Sequence, residues 1–288
     1  MGQQTAILLI HCPDHPGIIS NVSEFIFNNG GNIITLEQHV EEFENHFFMR
    51  VEWDLESFAI PKDKIKEFFS TLVANKFNME FILRFNDYVP RVALFVSKYS
   101  HCFFDILSRY ESREWKIEIP LIISNHEKFR YVAERYNIPF HHIPITKETK
   151  AEAEAKEIKL LQENNVDLIV LARYMQVPLH EKSYLNNYPN KIINIHHSSL
   201  PAFAGARPYE SAYKRGVKLV GATAHYVTQD LDAGPIIAQE VRPVTHREGL
   251  KDLKRTGKNT EKFVLAQAIW LHLNHKILSY KNKTVIFS

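Results

Sequence analysis

The sequence has little of what most often announces a function. Its 288 residues include two cysteines, Cys12 and Cys102, far apart and without the paired spacing of a metal knuckle or a redox couple. Each borders an apolar stretch, which fits an inert core thiol. Charge of one sign is missing as well: 35 Lys and Arg stand against 33 Asp and Glu. That balance is a poor basis for holding a nucleic-acid backbone or an anionic membrane. No apolar run approaches the ~20 residues of a membrane helix. Nor does the amino terminus show a charged segment, an apolar one and a cleavage site in succession. A cytoplasmic protein without nucleic-acid or membrane partners is expected. Glycine is sparse where phosphate sites need it. The strand-like VALFVS runs into KYSHCFFDIL without a glycine until well beyond. A loop that wraps a phosphate needs flexible backbone and exposed amides, so neither a dinucleotide fingerprint nor a P-loop is present.

Against these absences stands an ordinary globular composition, 45% apolar and 24% charged, in a chain long enough for two domains with separate cores. Residues 1–86 read as strand, helix, strand, strand, helix, strand. AILLIHC is a strand; Pro16 opens a helix with Ile18, Ile19, Val22, Phe25 and Ile26 on one face, closed by Gly30-Gly31. NIITLEQHV and HFFMRVEWDL flank a turn near Glu42 to Asn45, a helix runs from Pro61 to about Asn75, and FNMEFILRF ends the unit. This order is the ferredoxin-like split βαβ arrangement.

From residue 91 to 288 strands and helices alternate instead. VALFVS, PLIIS, DLIVLA and KIINIHH are strands, the last two as continuous apolar as strands buried on both sides. Between them lie helices at Cys102 to Tyr110 and at Glu148 to Asn164, the second Ala/Glu/Lys-rich with a solvated face. A last helix from about Lys262 to Asn274 precedes a short strand, TVIF. Such alternation implies an α/β, doubly wound, mostly parallel sheet with its ligands beyond the carboxyl ends of the strands.

Polar residues are densest between Asn194 and Gly234. Asn194 and His196 are two apart at a strand end, so their side chains share a face and meet the crevice. An amide donor beside an imidazole polarises a carbonyl and moves a proton. Taken singly, a capping asparagine and a hydrogen-bonded core histidine are the commoner roles. His196 and His197 cannot easily share a metal, because neighbouring strand residues point to opposite faces. No metal is expected. Asp232 sits in HYVTQDLDAGPII just before Ala233-Gly234, where the chain must turn; it suits orienting a water or an imidazolium, or simply forming the turn.

NIHHSSLPAFAGARPY followed by GATAHYVTQDLDAGPII resembles the signature of the folate-dependent formyltransferase and deformylase family, over roughly Arg91 to the end. The double histidine, GARPY and GATAHYVT are similar to its deformylase branch. CPDHPGII and FFMRVEW resemble the ACT regulatory domain that precedes the catalytic domain there. The resemblance implies hydrolysis of 10-formyltetrahydrofolate to formate and tetrahydrofolate, supplying formate for one-carbon and purine metabolism, with no tightly bound cofactor. Carried over by position, Asn194, His196 and Asp232 are the catalytic residues. Arg173, Met175, Gln176 and Val177 of RYMQV are expected at the pterin through their backbone, and His225 and Gly205 near the formyl site. Asp14 and Gly17 match the junction where related ACT domains bind an amino-acid effector between subunits, so a homo-oligomer is expected.

Two segments depart from the family pattern, Lys258-Asn259 within GKNTEK and Arg247 to Gly249. Both bear on helix packing or assembly rather than on the trio. Alternatives are a formyltransferase serving a small amine, and a catalytically silent ACT-dependent sensor of folate or an amino acid. The glycine-poor first loop weighs against a phosphorylated acceptor. A near-neutral chain ending soon after its last helix weighs against a tRNA. Retention of all three polar residues weighs against a sensor.

Overall fold

The computed structural model describes residues 3–146, 148–174, 182–202 and 208–288. By its contacts the chain divides into two units. One comprises Met1–Tyr88 with Asn274–Leu278 and Val285–Ser288; the other comprises Val89–Leu273 with Ser279–Thr284.

In the first unit, β1 (Thr5–Pro13), α1 (Ile18–Asn28), β2 (Ile33–Glu41), β3 (His46–Asp54), α2 (Ile65–Leu72) and β4 (Glu80–Phe85) follow the expected order. The strands pair antiparallel as β2-β3-β1-β4, the ferredoxin-like arrangement. Helix α1 starts one residue beyond Gly17, whose φ of 93° only glycine adopts without strain. Its face of Ile18, Val22, Phe25 and Ile26 packs into a core with Met49, Trp53 and Phe69. Helix α2 is shorter than its pattern suggests. Thr71 Oγ1 donates to the Glu67 carbonyl at 3.0 Å, and the chain then tightens into a 3-10 turn over Ala74–Phe77.

The carboxyl-terminal residues join this unit through polar contacts, although sequence alone assigns everything after residue 91 to the second. Buried Arg50 donates from Nε to the His275 carbonyl (3.1 Å) and from Nη1 to Thr35 Oγ1 (2.9 Å), and its Nη2 pairs with Glu52 (2.8 Å). The backbone N–H and the hydroxyl of Ser288 donate to Glu37 Oε2 at 2.8 and 2.7 Å.

The second unit runs β5 (Val92–Val96), α3 (His101–Glu111), β6 (Ile122–Ser124), α4 (Arg130–Arg135), β7 (Phe140–His142), α5 (Lys150–Glu163), β8 (Leu168–Ala172), α6 (Lys182–Asn187), β9 (Ile192–His196), α7 (Pro208–Arg215), β10 (Leu219–Tyr226), β11 (Ile236–Pro243) and α8 (Leu250–Leu273). A hairpin, β12 (Ile277–Tyr280) and β13 (Lys283–Ile286), follows. The sheet order is β11-β10-β9-β8-β5-β6-β7, parallel from β9 to β7 and antiparallel across β9, β10 and β11. Every residue of β5, β8 and β9 is buried, as sheets covered on both faces require. The chain leaves β5 towards β6 and leaves β8 towards β9. The carboxyl ends of β5 and β8 therefore flank a topological switch point, where such sheets open a ligand crevice.

Two helices differ from their sequence patterns. Helix α8 begins at Leu250 rather than near 262, capped where the Gly249 N–H donates to Asp252 Oδ2 at 3.2 Å. Gly257 lies inside it, and a mid-helix glycine hides such a start. Helix α5 turns Glu154 and Glu157 inward with Ala153 and Leu161, so its charged pattern is not a solvated face throughout. Among the described residues no helix is long and apolar enough to cross a membrane.

Candidate active site

Strand β9 brings Asn194 and His196 to one side, as the period of two demands, and both are buried. Antiparallel pairing with β10 sets Asn194 opposite His225, which adds a second imidazole. A bulge between Ala224 and His225, in the pairing with β11, re-aims that end of the strand. The β10–β11 loop then delivers Asp232, itself the left-handed residue of the turn at φ 54°. Aspartate tolerates that conformation better than most side chains.

Asp232 Oδ2 lies 3.1 Å from His196 Nδ1 and Oδ1 lies 3.5 Å from His225 Nε2. Burial opposes its charge, yet hydrogen bonding from His196 and His225 holds its carboxyl well below the usual carboxylate range. The carboxylate is therefore ionised at neutral pH. His225 Nδ1–H donates to the Tyr226 carbonyl at 2.9 Å, and its Nε2 stands 3.3 Å from the Asn194 amide nitrogen. With Nδ1–H directed at Asp232, His196 presents Nε2, which is buried and has no hydrogen-bond partner among the described residues. A buried, unpaired ring nitrogen beside an amide is suited to a bound carbonyl and its attacking water.

The loop after β9 is pinned behind this cluster. Thr223 Oγ1 donates to the Ser198 carbonyl (2.8 Å) and accepts from the Leu200 N–H (3.0 Å). Gln239 Nε2 donates to the Leu200 carbonyl at 3.0 Å.

A second polar cluster occupies the switch point. Arg173 leaves β8 at φ 62° and is buried. Its Nε lies 3.1 Å from Glu261 Oε2 as an ion pair outside hydrogen-bond geometry, and its Nη1 donates to His197 Nδ1 at 2.9 Å. Glu261 on α8 also accepts from His101 Nε2 (2.7 Å) and Tyr209 Oη (2.6 Å). Burial works against the Glu261 charge, but the His101 hydrogen bond and the Arg173 charge keep its carboxyl below its ordinary value. His197 is pushed down to about 4 by burial and by Arg173, so it is a neutral acceptor.

Arg173, expected at the pterin through its backbone, turns its side chain to Glu261 and His197. Sequence reasoning did not find Glu261, His101 or Tyr209. Glu261 belongs to GKNTEK, and a Cβ at Gly257 would run into the Tyr209 ring and hydroxyl, so its absence lets Tyr209 reach Glu261. His101, Cys102 and Glu261 place donor atoms within 4.8 Å of one another. Arg173 already supplies the positive charge there, and burial pushes the Cys102 thiol well up, away from the thiolate a metal prefers. Asp14 and Gly17 lie at the β1–α1 junction, with Gly17 exposed. Met175, Gln176, Val177 and Gly205 lie outside the described residues.

Residues 90–269 match the formyl transferase family. A formyltetrahydrofolate deformylase from Synechocystis sp. is 48% identical over 288 residues, covering 100% of both chains. A solved formyltetrahydrofolate deformylase from Pseudomonas syringae pv. tomato superimposes with a TM-score of 0.96 at 40% identity, covering 100% of this chain and 96% of that one. Glycinamide ribonucleotide transformylase 1 from Symbiobacterium toebii gives 0.65 at 28% identity, over 71% of this chain and 97% of that one. The chain belongs to the formyl transferase family. Within it, identity along the whole length puts the chain with the formyltetrahydrofolate deformylases.

Proposed function

We propose that the chain hydrolyses 10-formyltetrahydrofolate to formate and tetrahydrofolate, with Asn194, His196 and Asp232 as its catalytic residues. The observation that carries the assignment is His196 Nε2, buried and without a partner among the described residues while Asp232 holds the opposite ring nitrogen. Water attacks the formyl carbon and gives a proton to Nε2; the Asn194 amide donates to the oxyanion; the bond to N10 then breaks as Nε2–H returns the proton to that nitrogen. Ionised Asp232 stabilises the imidazolium formed in between, and His225 keeps Asn194 oriented. Backbone groups from Arg173 onward serve the pterin ring.

The test is purified protein with 10-formyltetrahydrofolate and no acceptor, followed by assay of formate and tetrahydrofolate. Both products are expected in equal amounts. His196→Ala and Asp232→Asn should each keep the wild-type circular dichroism spectrum and lose ~100-fold or more in kcat. Near-wild-type turnover by either variant removes it from the mechanism.

The ferredoxin-like unit is proposed as an ACT domain. Asp14 and Gly17 are its candidate contacts for an amino-acid effector between subunits of a homo-oligomer. The supporting features are the strand order and the Gly17 conformation at the β1–α1 junction. Titration calorimetry with amino acids, together with light scattering, tests both points. Formate released in the cytoplasm would enter one-carbon metabolism and purine synthesis.

A further inference from the structure

A fold shared with a transformylase does not itself choose water as the acceptor, so something in this chain must exclude amines. We infer that the buried Arg173–Glu261 pair fills the acceptor half of the switch-point crevice and leaves water as the nucleophile. The inference rests on the hydrolytic function proposed above.

Three observations carry it. First, the pair stands where an open α/β sheet receives a ligand, beyond the carboxyl ends of β5 and β8. Second, the pair is continuous with the hydrolytic cluster. Arg173 holds His197, and the His197 ring centroid is 5.1 Å from that of His196. Third, among the described residues the buried carboxylate at the crevice is already taken. A cationic or hydrogen-bonding amine would need an anionic acceptor, and Glu261 offers a buried carboxylate at the right place. Both of its oxygens are already engaged, Oε1 by Tyr209 and Oε2 by His101 and Arg173. Arg173 is further held over the Tyr99 ring, its guanidinium carbon 5.3 Å from the centroid. The neighbouring cavity of about 240 Å³, bounded by His197 and Tyr209, is walled by Ala202, Ala212, Val220 and Val241, and its described residues offer no carboxylate in exchange.

In hydrolysis, water oxygen bonds to the formyl carbon, the carbon–N10 bond breaks, one water proton ends on N10 and the formic acid proton is lost to solvent. With an amine, nitrogen bonds to the formyl carbon, the same bond breaks and the amine proton ends on N10, giving a formamide and tetrahydrofolate. Arg173 and Glu261 would decide which nucleophile approaches. They are specificity residues, and neither is assigned a step in bond making.

Hydroxylamine supplies a small probe, because its formyl product, N-hydroxyformamide, gives a coloured ferric complex distinguishable from formate. Arg173→Ala opens the crevice but strands the Glu261 carboxylate, so R173A/E261Q is made beside it to remove the unpaired charge. Wild type is expected to yield formate almost alone at a fixed hydroxylamine concentration. In the variants the ratio of N-hydroxyformamide to formate should rise by ~10-fold or more, the scale on which pocket shape discriminates. An unchanged ratio in a variant that still consumes substrate overturns the inference. So does a wild-type ratio already that high, a folded variant that loses both reactions, or failure of both variants to fold. If wild type releases no formate without amine, the hydrolytic function itself fails, which is a separate result.

Discussion

Glu157 is an acid in the wrong place by composition, and replacing it by glutamine should change the protein's stability in a pH-dependent way. Its side chain is fully buried on the inner face of α5, where Tyr174 Oη donates to Oε1 at 2.9 Å and Tyr184 Oη to Oε2 at 3.4 Å. Burial, and beyond it the nearby Glu154, push its carboxyl from 4.5 up to about 7, against the pull of the Tyr174 hydrogen bond. Between those two values the folded protein keeps a proton that the unfolded chain has released. The folded state then binds more protons, so stability falls as pH rises through that window and levels off above about 7. At 1.36 kcal/mol per pH unit the loss amounts to about 3 kcal/mol. Glu157→Gln has no such loss. Its amide keeps an acceptor for Tyr174 but weakens the Tyr184 contact, at about 1 kcal/mol. The variant should therefore be slightly less stable than wild type at pH 5 and about 2 kcal/mol more stable at pH 8. That corresponds to a Tm gain of roughly 4–8 °C at pH 8 for a unit of this size. Urea and thermal unfolding followed by tryptophan fluorescence at pH 5, 6, 7 and 8 measure it. If the two proteins keep the same separation at every pH, burial does not raise the Glu157 carboxyl.

Other outcomes follow from the same contacts. The Asp232 carboxyl, held below its ordinary value, contributes stability that is present above its unfolded pKa and is lost only as pH falls through the lower folded one. Carbon NMR of labelled aspartate should show Asp232 still ionised at pH 3; a midpoint at the ordinary 3.8 would contradict the pairing with His196 and His225. Gly257→Ala drives a methyl into Tyr209 and should destabilise the second unit by ~1–3 kcal/mol, as overpacking does. A calorimetric Tm equal to wild type would show that Tyr209 can move aside freely, and so does not depend on Gly257 to reach Glu261.

How much of this was legible in the sequence depends on how far each signal reaches along the chain. Asn194 and His196 could be paired because a period of two needs only adjacent residues. His225 was expected near the formyl site from the resemblance alone; its place opposite Asn194 needed the register of two antiparallel strands, which spacing does not fix. Asp232 was found as a turn residue, yet that it carries the left-handed conformation itself, rather than Gly234, required the backbone. The start of α8 was missed because Gly257 lowers helix propensity locally, while 24 residues of packing override it. That one error concealed Glu261, since outside a helix there was no reason to connect it with a tyrosine 52 positions earlier. Glu157 shows the limit most sharply. Its neighbours on α5 are those of a solvated face, and the same spacing serves either orientation of the helix. What buries it are Tyr174 and Tyr184, 17 and 27 residues downstream on other elements. A pattern within one helix specifies which residues share a side, whereas only the partners that arrive from elsewhere decide whether that side is wet, and with it whether a carboxyl is an ordinary acid or one that titrates near neutrality.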